Sequence, residues 1–140
     1  MSIWKKTATL EALQINRQET LVEHLGIEIT EIGDDYLVAS MPVDHRTHQP
    51  MGILHGGASI ALAETVGSMA ANIAVDAEHY CVGLEVNGNH LKSIRQGKVF
   101  AKASPFHLGR STQVWDIQIS DEQGNKICVS RLTMAVLKKP

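Results

Sequence analysis

Glu64 is the single ionisable side chain in a long stretch of small and apolar residues, 56–75. A lone carboxylate in a segment suited to burial costs free energy unless it is paired or has a function. Ser68 and Asn72 follow Glu64 at intervals of four residues, so on a helix the three form one polar stripe with Thr65 beside it. Such a stripe is either an exposed face or the wall of a polar pocket. We favour the pocket, where a carboxylate acts as a nucleophile or a general base.

The residues Leu54-His55-Gly56-Gly57 stand where that helix would begin. Unpaired backbone amides at a helix N-terminus point outward and carry partial positive charge. A helix start of this kind binds anions, and it can also stabilise an oxyanion that forms on a carbonyl group. The alternative is that the two glycines only allow a tight turn from the loop into the helix.

The spacing of these two groups predicts a dimer. Gly56 and Glu64 are eight residues apart, which is about 12 Å along a helix axis. One small carbonyl group cannot touch both groups of one chain. Two copies of the helix, antiparallel across a two-fold axis, would bring Gly56 of one chain beside Glu64 of the other. We therefore expect a homodimer with composite sites.

The surrounding sequence predicts one long helix and about six strands. Residues 8–24 favour short helical pieces, and alternating apolar and polar residues predict strands over 27–30 and 36–41. A polar loop is expected over 42–52, and four more alternating segments follow the helix. One helix on one antiparallel sheet is an α+β fold, which we expect to form a single domain over residues 1–140. The small residues of the helix would let a curved sheet wrap closely around it.

The composition narrows the function classes. The 13 basic and 15 acidic residues leave a net charge of −2, and the basic residues do not cluster, so no nucleic-acid partner is expected. The N-terminus lacks a signal peptide and no run of about 18 apolar residues occurs, which predicts a cytoplasmic protein with no membrane partner. Cys81 and Cys128 fit a reducing compartment. His45 and His48 are close together but lack a complete ligand set, so no metal site is expected.

Two segments of the chain carry a family resemblance. Residues 49–58 (QPMGILHGGA) and 62–68 (LAETVGS) resemble the hotdog-fold acyl-CoA thioesterases, in particular small bacterial enzymes that act on hydroxylated aromatic acyl groups. The similarity extends over nearly the whole chain and includes residues 82–90, 105–110 and 130–132. It implies a hotdog fold, in which an antiparallel sheet of about six strands wraps around one long central helix. It also implies thioester hydrolysis without a metal or organic cofactor.

The resemblance also implies roles for single residues. Glu64 is implied to be the nucleophile or the general base that activates water, and the Gly56 amide to polarise the thioester carbonyl. His55 and Gln49 are implied to orient the carbonyl or the sulfur. Four further residues are implied to contact ring hydroxyls, to position water or to shape the acyl pocket: Thr65, Ser68, Met69 and Met51.

Coenzyme A carries several negative charges, and the resemblance implies contacts to it near strand ends. Lys92 and Arg95 are basic residues there that equally well serve only to solvate the surface. The residues expected to bind coenzyme A are Val82, His90, Lys92, His107, Leu108, Gly109, Arg110 and Ser111.

Several alternatives stay open at this point. A hotdog hydratase or dehydratase would use His55 and Glu64 to exchange protons with an acyl chain, and a non-catalytic acyl-CoA-binding module would need neither. The thioester could also sit on an acyl or aryl carrier protein, as in proofreading during siderophore synthesis, rather than on coenzyme A, as in dihydroxynaphthoyl-CoA of menaquinone synthesis. Similar proteins pair dimers into tetramers, so a homotetramer is also expected.

Overall fold

The computed structural model describes residues 1–14 and 17–140. Residues 15–16, part of the segment expected to hold short helical pieces, lie outside the described residues, and a short helix lies on either side of them. The elements in chain order are α1 (Leu10–Leu13), α2 (Leu21–His24), β1 (Glu28–Ile32), β2 (Leu37–Val43), α3 (Gly56–Ile73), β3 (His79–His90), β4 (Gly97–Leu108), β5 (Thr112–Asp121) and β6 (Lys126–Lys138).

The six strands form one antiparallel sheet in the order β1-β2-β4-β5-β6-β3, and α3 packs against it. The expected hotdog architecture of one long helix and an antiparallel sheet is therefore confirmed. Strand boundaries differ from the prediction by a few residues. Pro42 lies in β2 and not in a loop, opposite Lys98 of β4, and β4 continues to Leu108, so the turn into β5 is confined to residues 109–111.

Small residues on α3 allow the sheet to approach it closely. Ala63, Gly67, Ala70 and Ala71 are all buried on the face of the helix that meets the sheet. A side-chain carbon at Gly67 would lie 2.5 Å from a methyl carbon of Leu132 in β6. The core therefore forms directly between α3 and the inner residues of the sheet, where nearly every apolar side chain is out of contact with water.

The N-terminal residues fasten the far end of α3. The backbone N–H groups of Lys5 and Lys6 donate to the carbonyl of Ile73, the last residue of α3, at 2.7 and 3.1 Å. The indole of Trp4 stacks on that of Trp115, with ring centroids 6.3 Å apart. The two hydrogen bonds satisfy a carbonyl that a helix end leaves unpaired.

Among the described residues, no helix is long and apolar enough to cross a membrane.

Strand β3 lies at one end of the sheet and pairs with β6 alone. Its pairing is interrupted by a β-bulge between Gly83 and Glu85. Two large apolar side chains on it, Val82 and Leu84, are exposed to solvent in the single chain. An edge strand of twelve residues with exposed apolar side chains is a surface to which another strand can be added.

Candidate active site

The start of α3 presents a free backbone amide. His55 is the N-cap residue of α3, and its Nδ1 atom accepts the N–H of Gly57 at 2.8 Å. Its carbonyl accepts the N–H groups of Ala58 and Ser59. The N–H of Gly56 donates a hydrogen bond to no acceptor within the described ranges. His55 therefore orders the first turn and leaves the Gly56 amide available for an external carbonyl oxygen.

Gly56 lies in a cavity of about 320 Å³. The imidazole of His90 packs against it so closely that a side-chain carbon at residue 56 would be 2.8 Å from its Nε2 atom. Gln49 also lines the cavity and belongs to a turn in which its side-chain oxygen accepts the N–H of Met51. The lining residues are Gln49, Ile53, Leu54, Gly56, Ser59, His90, Leu91, Lys92, Ser93 and Ile127.

Glu64 lies two turns further along α3, beside a separate cavity of about 390 Å³. Its side chain is exposed in the single chain and rests against β3, where a side-chain carbon at Gly83 would be 2.8 Å from Oε2. Thr65, Ser68 and Met69 line the same cavity. The walls combine apolar side chains with two hydroxyl groups, and the full lining is Leu21, Val22, Ala61, Glu64, Thr65, Ser68 and Met69.

The polar stripe of α3 divides into two parts. The Thr65 hydroxyl donates to the carbonyl of Ala61 at 2.7 Å, and Ser68 lies 3.9 Å from the sulfur of Met134. Asn72 does not line the cavity beside Glu64, because its side chain binds the backbone of β3. The pocket wall that was expected from the spacing therefore ends at Ser68.

The structure thus separates the predicted site residues into two groups, here called half-sites, at different positions along α3. Gln49, Gly56, His90 and Lys92 share one cavity, while Glu64, Thr65, Ser68 and Met69 share the other. His55 lines neither, because its ring faces a third cavity of about 280 Å³ beside Gly57. Met51 is exposed and also lines neither half-site.

The residues expected to bind coenzyme A are likewise dispersed. Lys92 and His90 lie with Gly56, and Val82 is exposed on β3 next to Gly83. His107 and Ser111 are exposed at the β4–β5 hairpin. Leu108, Gly109 and Arg110 of that hairpin line a cavity of about 470 Å³ together with the N-terminal residues and the hydrogen-bonded pair of Asp76 and His79. One chain does not bring the hairpin and the Gly56 cavity together.

Some residues of the half-sites were not anticipated. Ser59 lines the Gly56 cavity, and Leu21 and Val22 of α2 line the cavity of Glu64. Gly83 falls in segment 82–90, where the sequence predicts roles for Val82 and His90 but none for the glycine. A glycine between Val82 and Leu84 is a signal that another group approaches the backbone closely, and here that group is the carboxylate of Glu64.

Local contacts shift the pKa values of one carboxyl group and two thiol groups. In the loop before Gln49, the guanidinium and backbone N–H of Arg46 hydrogen-bond Asp44 and lower the pKa of its carboxyl from 3.8 to about 2. Burial raises the pKa of the Cys81 and Cys128 thiols, neither of which is in a disulfide. In the part of the chain that the structure describes, no group of three or more His, Cys, Asp and Glu side chains could hold a metal ion.

Comparison with known proteins places this geometry in a family. The sequence profile of the thioesterase superfamily matches residues 51–128. The chain is 55% identical to proofreading thioesterase EntH of Cronobacter turicensis, over 96% of this chain and 98% of that protein. It is 51% identical to 1,4-dihydroxy-2-naphthoyl-CoA hydrolase of Escherichia coli, over 96% and 99%. A mutant thioesterase of Pseudomonas aeruginosa is 51% identical and superposes with a TM-score of 0.96 over 99% and 100% of the two chains.

Proposed function

The chain belongs to the thioesterase superfamily and is a thioester hydrolase, and from this premise we propose that it cleaves coenzyme A thioesters of hydroxylated aromatic acids, with Glu64 as its catalytic carboxylate. The observation that carries the proposal is that one helix presents both a free N-terminal amide, at Gly56, and a single carboxylate, at Glu64. A thioester carbonyl requires an electrophilic activator and a nucleophile. The Gly56 amide and Glu64 supply these two functions.

We propose further that the two half-sites come together between two copies of the chain. Gly56 and Glu64 lie about 12 Å apart along α3, too far for one carbonyl group to touch both. The exposed edge of β3, with Val82 and Leu84, supports the addition of a second copy. An antiparallel arrangement of two α3 helices would place the Gly56 amide of one copy beside Glu64 of its partner, giving two composite sites per dimer.

In the proposed reaction, the Gly56 amide hydrogen-bonds the thioester oxygen as negative charge develops on it. Glu64 then acts in one of two ways. As a nucleophile it attacks the carbonyl carbon, the C–S bond breaks with release of the thiolate, and water hydrolyses the acyl-glutamate anhydride. As a general base it takes a proton from water, whose oxygen attacks the carbonyl carbon; the C–S bond then breaks and the leaving sulfur takes up the proton from Glu64. Gln49 and His90 share the Gly56 cavity, and in this proposal they orient the thioester.

The cavity beside Glu64 supports an aromatic acyl group. Its apolar walls include Val22 and Met69, which suit the face of a ring, while the Thr65 and Ser68 hydroxyls suit ring hydroxyl groups. Dihydroxynaphthoyl-CoA, the substrate in the name of the Escherichia coli relative, is the first candidate. Members of the family bear hydrolase names, which favours hydrolysis over hydration or mere binding of the acyl-CoA.

A carrier-protein thioester is the second candidate. The observation that favours it is the 55% identity to a proofreading thioesterase. Lys92 is exposed at the Gly56 cavity and also lines an adjoining cavity with the exposed Arg95, and neither side chain forms an ion pair within the described ranges. These two basic side chains would bind either the phosphates of coenzyme A or acidic side chains of a carrier protein. Arg110, on the hairpin of the partner chain, would be a third basic group in contact with the substrate.

The test is steady-state hydrolysis of a thioester panel by the wild type and Glu64→Gln. The panel holds dihydroxynaphthoyl-, hydroxybenzoyl-, acetyl- and long-chain acyl-CoA and a dihydroxybenzoyl carrier protein. We expect aromatic thioesters to be cleaved and Glu64→Gln to lose at least about a hundredfold in kcat. Glu28→Gln, which neutralises an exposed carboxylate on β1 at the opposite edge of the sheet, is the matched control. A Glu64→Gln protein as fast as the wild type would refute the role of Glu64.

Mixing two variants of reduced activity tests the composite site. In a heterodimer of Glu64→Gln with Gly56→Ala, one composite site carries both substitutions and the other carries neither. Random reassortment of subunits should therefore restore about a quarter of wild-type activity. No recovery on mixing, or an active monomer by light scattering, would contradict the composite site.

A further inference from the structure

The side chain of Asn72, near the end of α3, binds both backbone groups of Cys81 in β3. Its Oδ1 atom accepts the N–H of Cys81 at 2.8 Å. Its Nδ2 atom donates to the carbonyl of Cys81 at 3.3 Å and to the carbonyl of Ser68 at 2.9 Å. Asn72 therefore supplies to Cys81 the donor and the acceptor that a neighbouring strand supplies elsewhere in a sheet.

This attachment lies next to the irregular segment of β3. β3 pairs on one side only, with β6, and the β-bulge between Gly83 and Glu85 interrupts that pairing. A bulge leaves a residue unpaired and disrupts the ladder locally. Cys81 is two residues before Gly83, so the two hydrogen bonds from Asn72 fix the strand just before the irregular segment.

The same segment supports the carboxylate of Glu64. A side-chain carbon at Gly83 would be 2.8 Å from Oε2 of Glu64, so the carboxylate rests directly on the Gly83 backbone. A closed chain of contacts results, running from Asn72 to Cys81, along β3 to Gly83, and back to α3 at Glu64. Both ends of the chain lie on one rigid helix, eight residues apart.

We propose that Asn72 is a positioning residue for thioester hydrolysis, which holds β3 in the place where Gly83 supports the Glu64 carboxylate. The inference rests on the proposed function of Glu64. Asn72 touches neither half-site cavity, so it acts through the strand. Displacement of a reacting group by about 1 Å can reduce turnover by as much as a hundredfold, and the β-bulge makes the pairing with β6 irregular just after Gly83.

The presence of an asparagine at position 72 supports a role in holding β3 over a role in stabilising α3. Asn is a poor helix former compared with Ala or Leu, because its side chain competes for backbone hydrogen bonds. The Asn72 side chain makes two of its hydrogen bonds to β3 and one to the carbonyl of Ser68 in α3. An isosteric Leu removes all three hydrogen bonds and favours the helix, while Asp keeps an acceptor for the Cys81 N–H and loses both donated bonds.

The experiment compares Asn72→Leu and Asn72→Asp with the wild type and with Thr30→Val. The control removes a side-chain hydrogen bond to the backbone of Val38 at the opposite edge of the sheet. We expect kcat on the preferred thioester to fall about 10- to 100-fold in Asn72→Leu, with KM changed by less than about threefold. Asn72→Asp should be intermediate, and Thr30→Val should match the wild type.

Hydrogen exchange gives a readout that is independent of activity. Amides 81–83 should exchange faster in Asn72→Leu, and the Cys81 amide should stay protected in Asn72→Asp. Unchanged exchange in both variants, or a lower Tm with wild-type kcat, would overturn the positioning role. If the wild type hydrolyses no thioester, the proposed function fails, whereas the exchange data still decide whether Asn72 holds β3. If Asn72→Leu does not fold, the kcat and the hydrogen exchange of Asn72→Asp are compared with those of the wild type instead.

Discussion

The imidazole of His90 packs directly on Gly56, so that a side-chain carbon at residue 56 would lie 2.8 Å from Nε2 of His90. A methyl group in Gly56→Ala must therefore displace the ring and enter the cavity that contains the free amide. Alanine favours a helix over glycine by up to about 1 kcal/mol. We expect the free energy of unfolding to change by less than about 1 kcal/mol, and kcat/KM to fall at least about tenfold, when both are measured on the same preparation.

A double-mutant cycle identifies the cause of that loss. If the methyl group acts by displacing His90, Gly56→Ala should cost much less activity in a His90→Ala background than in the wild type. Equal losses in the two backgrounds would contradict the steric explanation. They would instead indicate that the methyl group blocks the Gly56 amide itself.

The contact of Glu64 with Gly83 yields a second prediction. In Gly83→Ala, the new methyl group would meet Oε2 of Glu64 at 2.8 Å, while its next neighbour, the sulfur of Met134, is 4.0 Å away. The carboxylate must rotate, because the strand is held by its pairing with β6. We expect a loss of about tenfold or more in kcat, with a Tm within a few degrees of the wild type. A variant with unchanged kcat would show that the carboxylate does not depend on this support.

Both contacts mark the limit of what the sequence could reveal. The length and the alanine-rich composition of segment 56–75 predicted α3, and the rise of a helix predicted that Gly56 and Glu64 lie too far apart to share one carbonyl group. The alternation in β3 predicted a strand, yet it did not reveal which strand residue meets which turn of the helix. That register depends on long-range packing, so the contacts of Gly83 with Glu64 and of His90 with Gly56 emerged only from the fold. The sequence predicts a loop at Pro42, although β4 pairs with it.

The packing of α3 on the sheet yields a third prediction, for stability. Gly67 is buried, and a side-chain carbon there would lie 2.5 Å from Leu132 and 3.2 Å from Ile117. Overpacking of a core typically costs about 1–3 kcal/mol, which exceeds the helix-propensity gain of at most about 1 kcal/mol. Gly67→Ala should therefore lower the free energy of unfolding in urea by about 1–2 kcal/mol. In a Leu132→Ala background the same substitution should be neutral or stabilising, and an equal cost in both backgrounds would contradict the steric cause.

The ion pair in the loop before Gln49 yields a prediction for pH. Hydrogen bonds from Arg46, at 2.7 Å from its Nη2 atom and 2.9 Å from its backbone N–H, lower the pKa of Asp44 from 3.8 to about 2. Because the folded state binds this proton less readily than the unfolded chain, the ion pair stabilises the fold fully above pH 3.8. That contribution is lost as the pH falls through about 2.

Wild type and Asp44→Asn should therefore differ in urea midpoint by a constant amount at neutral pH. The difference should close progressively between about pH 4 and pH 2, where the wild-type carboxyl becomes protonated. It should be small, because the two side chains are 36% and 41% exposed and solvent screens them. The Asn side chain keeps an oxygen for the backbone N–H of Arg46, so the comparison isolates the charge. A midpoint difference that stays constant or widens down to pH 2 would show that the Asp44 charge does not stabilise this loop.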